Sequence, residues 1–587
     1  MLRTVCLLFI LSHCISVSAQ HVQDSVRLKE IVVKGVDSQS IRMRSSLNVS
    51  RINNDYMREN LSGSLMQTLK QIPGVKAMSI GSGQSKPAIR GLGFNRLIVA
   101  ENGIKHEGQQ WGEDHGLEIS QFGIESIDVV KGPASLMYGS DAIGGVINLK
   151  TNTLPLERFE GETGVFSRTN NESIGIYSNL RGRRERFFYR IDLSWLDYAD
   201  YKVPVDSIQY YSYYFRLKDK KLRNTAGNER SGGVTLGWSE RSFRTTFSVS
   251  DLYAKNGFFA NAHGLEIRLS EIDYDSSSRD VDLPYHLVNH FKLTNLTTWY
   301  LGESRLEGRF AYQNNLRKEF SEAVSHGYMP IPPDSLEREF RKHTYSGAFD
   351  YHFAPIDRNE IIAGISAEHQ NNRRDGWGFI IPDFRMSTFG VFLSDRVRLQ
   401  DNLILSAGIR FDRTIIETDA YEDWFKTPVE NGDSIYKQRS ELLTRTFNSL
   451  TWSAGVNYST GNWSLKANIG KSYRAPIAKE LSSDGINYHI FRYEKGDDSL
   501  SAEESYQLDA GINWDNSGLK IAFEPYLNYF PNYIYLNPTS AYNEGLQVYY
   551  YTQNKVIRYG FELLANYRIT EQLEAEATTE DLYAEQR

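Results

Sequence analysis

After Asn152 the chain repeatedly alternates apolar and polar positions. Tyr189-Arg190-Ile191-Asp192-Leu193-Ser194-Trp195, Thr245-Thr246-Phe247-Ser248-Val249-Ser250 and Leu465-Lys466-Ala467-Asn468-Ile469-Gly470 are typical. A period of two gives each strand one apolar and one polar face. About seventeen such segments can be counted, each near the ~10-residue alternating unit of a strand that crosses an outer membrane. Their connections alternate in length. Short turns fall at Gly182–Glu185, Ser239–Arg241, Leu301–Ser304, Gln400–Asn402, Thr460–Asn462 and Asn516–Gly518, with long loops near 198–228, 255–285, 316–340, 370–385, 415–446 and 474–501. A soluble sandwich has no reason to keep its short connections on one parity. A membrane barrel does, with short turns at the periplasmic end and long loops at the surface. Strands that face lipid must also close on themselves, because an open edge leaves backbone groups unsatisfied there.

The preceding stretch, 41–153, has another texture. Ser64 to Ile72 predicts a short amphipathic helix (Leu65, Met66, Leu69, Ile72) stopped by Pro73-Gly74. Short strands are expected at Val75–Ile80, Ala88–Arg90, Leu97–Ala100, Ile124–Val130 and Gly145–Lys150, with glycines between them. This is a compact α/β unit. Residues 20–40 are polar apart from Leu28-Lys29-Glu30-Ile31-Val32-Val33-Lys34-Gly35, which reads as an edge strand or as a strand held out for a partner. Arg3, the apolar run Val5 to Leu11 and Val17-Ser18-Ala19 form a secretory signal peptide, cut after Ala19. Both cysteines, Cys6 and Cys14, lie inside it. His13 stands where lipoprotein processing takes a small residue, so lipidation is not expected.

Composition agrees with the pattern. Mean hydropathy is −0.47 and charged residues are 24%, which excludes a bundle of membrane-spanning helices. The 36 Tyr, 29 Phe and 45 Gly against only 16 Pro suit strands and tight turns. A net charge of −7 leaves no basic excess for nucleic acid. P-loop, HExxH, paired-cysteine zinc and Gly-x-Ser-x-Gly motifs are all missing, so the chain is read as no enzyme.

Several segments resemble the TonB-dependent outer-membrane receptor family. Leu28–Gly35 looks like the TonB box, whose core is Leu28, Glu30, Ile31, Val32 and Val33. Ser64–Gly74, Pro87-Ala88-Ile89-Arg90-Gly91 and the long run Lys131-Gly132-Pro133 through Tyr138-Gly139 to Gly144-Gly145-Val146-Ile147-Asn148 are similar to the plug. Tyr473-Arg474-Ala475-Pro476 with Glu480-Leu481 looks like the characteristic barrel segment. The resemblance implies a plug inside a barrel and import energised by the inner-membrane TonB complex. Its lumen-filling plug would block leakage, and its N-terminal strand would pair with a partner's sheet edge.

For cargo, His106-Glu107-Gly108-Gln109-Gln110-Trp111-Gly112-Glu113-Asp114-His115-Gly116-Leu117-Glu118 gathers imidazole and carboxylate on a Gly-rich loop, suitable for Zn²⁺ and its neighbours. Asp114-His115 resembles the metal-contacting pair of zinc-uptake members, and His489 falls where that subgroup places another histidine. His263 and the pair His286/His290 are further candidates; in a strand the latter two face one side. Asp375 and Asp383 are the nearest stand-ins for a fourth, carboxylate ligand. Against all of these stands the plain reading that loop histidines are solvated.

The expectation is therefore a transmembrane antiparallel β-barrel with an N-terminal α/β plug in its lumen: signal peptide 1–19, TonB-box segment 20–40, plug 41–153, barrel 154–587. At roughly 26 residues per strand, a plugged barrel of ~22 strands needs roughly 570 residues, so a C-terminal truncation of about five strands is expected; the alternative is a complete barrel of about sixteen strands, for which no closing strand is evident. The protein is expected in the bacterial outer membrane, as a monomer in lipid, importing a metal ion or metal complex (zinc-like favoured) with TonB as partner and no required cofactor. The alternatives are a siderophore or haem receptor of the same architecture, and a passive surface-binding protein.

Overall fold

A computed structural model describes residues 46–108, 116–210, 213–259, 277–429, 432–488, 490–516 and 518–587. The first folded module contains β1 (Asn48–Asn53), α1 (Asn54–Glu59), α2 (Leu65–Thr68), β2 (Val75–Ser79), β3 (Ser85–Ile89), β4 (Leu92–Gly93), β5 (Leu97–Glu101), β6 (Ile104–Lys105), β7 (Ser126–Lys131), α3 (Ser135–Tyr138) and β8 (Gly145–Lys150). Its main sheet has the order β1-β7-β8-β5-β6, with β5 and β8 parallel, and β2-β3-β4 form a second sheet. Ile52, Met57, Leu65, Met66, Leu69, Val99, Ile127 and Ile147 belong to one buried core. The helix expected over Ser64–Ile72 is shorter. Ser64 caps α2 by accepting from the Gln67 N–H, and the chain then leaves through turns to Pro73 and Gly74, which has φ +75°. Pro73 and a left-handed residue after it cannot extend a helix.

Seventeen strands, from Glu160–Arg168 to Glu574–Gln586, follow one another as an antiparallel ladder. The sheet order returns to its start as a closed barrel. That order also takes in Asp484–Asn487 and Arg492–Lys495 from a long loop, through parallel pairing of Tyr493–Lys495 with Val548–Tyr550. Strand Leu403–Thr418 shows the alternation at work: Arg410, Asp412 and Thr414 are buried on the lumen side while Ile409 and Phe411 are exposed outward. No described helix is long and apolar enough to cross a membrane; the crossing elements are strands.

All six short turns lie at one end of the ladder, as the spacing predicts. Two connections depart from the length rule: residues 169–172 alone join the first two strands at the long-loop end, and a second case is shorter still. Strands Leu519–Asn543 and Leu546–Arg568 are joined at the long-loop end by only Glu544-Gly545. Both turn residues have positive φ (50° and 79°), which matches the twist of a two-residue hairpin. The strands themselves make up the length. At 25 residues the first is far longer than the ~10 needed to cross lipid, so the hairpin rises past the rim. There Lys437 and Arg439, from the loop hairpin Tyr421–Pro428/Ser434–Ser440, both reach Glu544 at 2.8 Å.

Candidate functional site

The module formed by β1–β8 touches the barrel wall all round, and the joint is built from charges. Arg90, at the end of β3, donates to Glu562 at 2.7 Å and pairs with Asp509. Lys131, at the end of β7, pairs with Glu562 and lies 3.1 Å from Glu524. Arg96 forms a fork with Glu503 at 2.6 and 2.7 Å. Higher up, Lys342 lies 2.9 Å from Glu107, Arg317 is 2.5 Å from Glu118 and Lys292 pairs with Glu101. Side chains such as Arg90 and Glu562 are nearly completely buried. Buried charges persist only when paired and hydrogen-bonded, and each group here belongs to a different module from its partner. The lumen is thus filled by a plug held through polar, directional contacts rather than by a continuous apolar core.

Electrostatics follow from that joint. Burial pushes the Glu107 carboxyl up, but the Lys105 and Lys342 ammoniums outweigh it and bring it down to about 2. Burial opposes charge on Lys105 and Lys131 as well, and their carboxylate neighbours raise both above the usual lysine range. His106 goes the other way. Burial, with His290 and two lysines nearby, lowers it well below the ordinary imidazole value, so its ring is neutral.

Comparison with known proteins decides what this architecture is. Residues 163–584 match the family described as TonB dependent receptor-like, beta-barrel, and residues 42–146 match the TonB-dependent Receptor Plug Domain. The chain belongs to the TonB-dependent receptor family. Among curated relatives, a vitamin B12 transporter of Photobacterium profundum is 37% identical over 95 residues, 16% of either chain. A haem/hemopexin utilization protein C of Haemophilus influenzae is 23% identical over 80% of this chain and 66% of its own length. The chain thus spans less than two thirds of either relative. Among solved structures, the copper transporter OprC has a TM-score of 0.72 at 14% identity, covering 92% of this chain and 80% of that one. The family is one of outer-membrane receptors and transporters, and the barrel and plug are placed accordingly.

Within this TonB-dependent receptor the motif residues gather at the plug–wall joint. A Cβ at Gly91 would lie 3.1 Å from Arg558 and one at Gly139 3.1 Å from Arg410, and Pro133 lies beside Gly470. Tyr138 accepts a 3.3 Å hydrogen bond from Asn148, and the Gly144 N–H donates to the Arg96 carbonyl at 2.6 Å. Gly145 opens β8 at φ +128°, where a Cβ would strike the Val130 carbonyl. Its neighbour Gly144 turns the chain into the strand, so turn and close packing coexist. Gly132, at φ +94°, would put a Cβ 2.8 Å from Asp509. In the barrel segment, Arg474 is buried against Glu480 at 2.8 Å and Glu503 at 3.0 Å. The Asp141 N–H donates to the Tyr473 carbonyl at 3.3 Å, so this segment meets the end of the plug's long motif.

The metal candidates divide. Asp114, His115, His263 and His489 lie outside the described residues, as do the TonB-box positions Leu28, Glu30, Ile31, Val32 and Val33. His286 and His290 do share one face of strand Tyr285–Leu301, turned inward and buried. His286 Nδ1 meets Arg317 at 3.0 Å and His290 Nδ1 meets Asn315 at 2.9 Å. Asp375 and Asp383 serve the loop: the former accepts from the Gly376 N–H, the latter from the Arg374 N–H. Sequence reasoning did not single out Arg96, Glu503 or Lys342 as a joint. The available signal was opposite charge two residues apart on the lumen face of a single strand, as in Arg410-x-Asp412 and Arg317-x-Glu319.

Proposed function

We propose that this receptor imports a metal ion or metal complex across the outer membrane, zinc-like cargo being favoured, with TonB engaging Leu28, Glu30, Ile31, Val32 and Val33. The observation that carries the reading is the plug–wall joint. A lumen stoppered by buried ion pairs cannot leak passively, and opening it requires work delivered from outside the barrel. Pulling on the chain ahead of β1 would deliver that work to the plug, whose least stable part opens first. Cargo chemistry rests on Asp114, His115 and His489, whose imidazole and carboxylate groups suit borderline metals. In this reading the receptor works as a monomer in lipid, the modules run 41–153 and 154–587, and the protein needs no cofactor of its own.

A haem or siderophore cargo is the second reading. It is favoured by the haem/hemopexin relative, which aligns with 80% of this chain. Element-resolved uptake by cells with and without the receptor separates the two. Receptor-dependent accumulation of zinc or a neighbouring metal from simple salts supports the first; accumulation of iron only when haem or a siderophore is supplied supports the second. Deleting Leu28–Val33 should abolish uptake and leave surface binding intact. Uptake that survives the deletion would falsify energised import.

A further inference from the structure

Between plug and wall lies a cavity of about 130 Å³ lined by His106, Glu118, His290, Lys292 and Gln313 among others. Its chemistry differs from that of the ion-pair joint around it. Among the described residues, neither ring nitrogen of His106 has a hydrogen-bond partner, and Nε2 of His290 and Oε2 of Glu118 also lack one. All three side chains are more than nine-tenths buried. The two imidazoles approach to 4.3 Å between ring centroids, one from the plug and one from the wall. Gly108 keeps the space open: a Cβ there would collide with Glu118 Oε2 and sit 3.5 Å from His106 Nε2. Glu118 holds Arg317 through Oε1 and leaves only Oε2 over, whereas Glu107 is engaged by Lys105 and Lys342 and Glu101 by Lys292.

We propose that His106, His290 and Glu118 form a transit site for a bare first-row divalent metal ion at the plug–wall boundary, separate from Asp114 and His115. Two imidazoles and a carboxylate are the donor set such ions take. Among the described residues no three donors already surround one point, so the site closes around an arriving ion as Glu118 turns its unpartnered Oε2 toward the histidines. Lys292 and Lys342 stand close by and moderate the affinity of a dication, which suits a site that must release its ion. The place fits passage. The cavity shares Asn102, Ile104, Lys105 and Leu296 with a larger one of about 490 Å³ that extends toward Thr298 and Glu307, near the short-turn end. Because two of the three ligands, His106 and Glu118, ride on the plug and His290 stands on the wall, any shift of the plug against the wall pulls His106 from His290 and discharges the ion. This inference rests on the metal-import reading and narrows its cargo to an uncomplexed ion.

The test uses the full-length receptor in detergent with Co²⁺ as probe, read by equilibrium dialysis and by its visible ligand-field spectrum. Wild type should bind Co²⁺ with a spectrum of nitrogen and oxygen donors, and His106→Ala with His290→Ala should weaken that binding at least ~10-fold. Gly108→Ala leaves both imidazoles in place but fills the space, and should weaken binding similarly. Unheated migration on SDS gels verifies that each variant barrel is folded. Asp114→Ala with His115→Ala should leave this spectrum in place. The proposal is overturned if the His106/His290 variant reproduces the wild-type isotherm and spectrum, or if Gly108→Ala binds as wild type does. Receptor-dependent zinc uptake by cells tests the import reading separately. Uptake that persists at wild-type rates in the folded His106/His290 variant overturns the transit site while leaving import standing.

Discussion

Arg90 concentrates the logic of the joint in one side chain. It is buried on the plug, faces Glu562 and Asp509 of the wall, and lies 4.2 Å below the Tyr526 ring. Removing one partner of a buried pair leaves the other charge unpaired and costs roughly 3–5 kcal/mol. Arg90→Ala should therefore loosen the plug while the barrel, held by its own ladder, stays folded. Urea titration of a fluorophore on the plug checks this; a midpoint equal to wild type's would show that the pair carries little of the seating. Glu107 makes a pH prediction at the same scale. Its folded value of about 2 lies below the ordinary 4.5, so its contribution is complete above about 4.5 and is lost as pH falls toward 2. The plug midpoint of the wild type should fall across that window. Glu107→Gln should start lower at pH 6 and fall less on acidification; parallel curves for the two proteins would refute the assignment.

At the scale of the element, Gly132 shows how backbone conformation and docking are joined. Its φ of +94° disfavours any other residue, and the space where a Cβ would go is taken by Asp509. Gly132→Ala should cost about 1–3 kcal/mol of plug seating, visible as faster hydrogen exchange over β7 and β8, whereas Gly302→Ala, in an open periplasmic turn, should leave that exchange unchanged. Equal effects of the two substitutions would mean that strain alone, without the Asp509 contact, sets the cost. Strands of this kind were legible from alternation because lipid on one side and a polar plug on the other impose a strict period of two. The plug's strands Leu97–Glu101 and Gly145–Lys150 were legible as apolar runs, being buried in a mixed sheet. β1 and α1 were not: Asn48–Asn53 carries little apolar pattern, and α1 is six residues held by an Asn53 cap. Local sequence does not encode the wall that covers them. The candidate site was legible only as residue types. His286 and His290 could be assigned to one face, but the meeting of His290 with His106 depends on how a plug loop docks against a strand 184 positions away.

For the whole molecule, a stopper secured by directional pairs rather than an apolar core behaves as a two-position device. Apolar contacts weaken gradually with separation, whereas buried ion pairs lose most of their value once water enters. A small displacement should therefore release the joint cooperatively. If import needs that displacement, fixing the plug covalently must stop it. Ser120 on the plug and Ser194 on the wall place their hydroxyls 3.4 Å apart. The two native cysteines, Cys6 and Cys14, lie in the expected signal peptide, so Ser120→Cys with Ser194→Cys adds the only thiols expected in the mature chain. Under oxidising conditions the crosslinked receptor should retain ligand at the cell surface and lose receptor-dependent uptake, and reductant should restore it. Each single-cysteine variant should import normally under both conditions. Uptake undiminished in a receptor shown by mass spectrometry to be fully crosslinked would mean that cargo passes a plug fixed at that edge, confining the motion to the side where Arg90 and Lys131 dock.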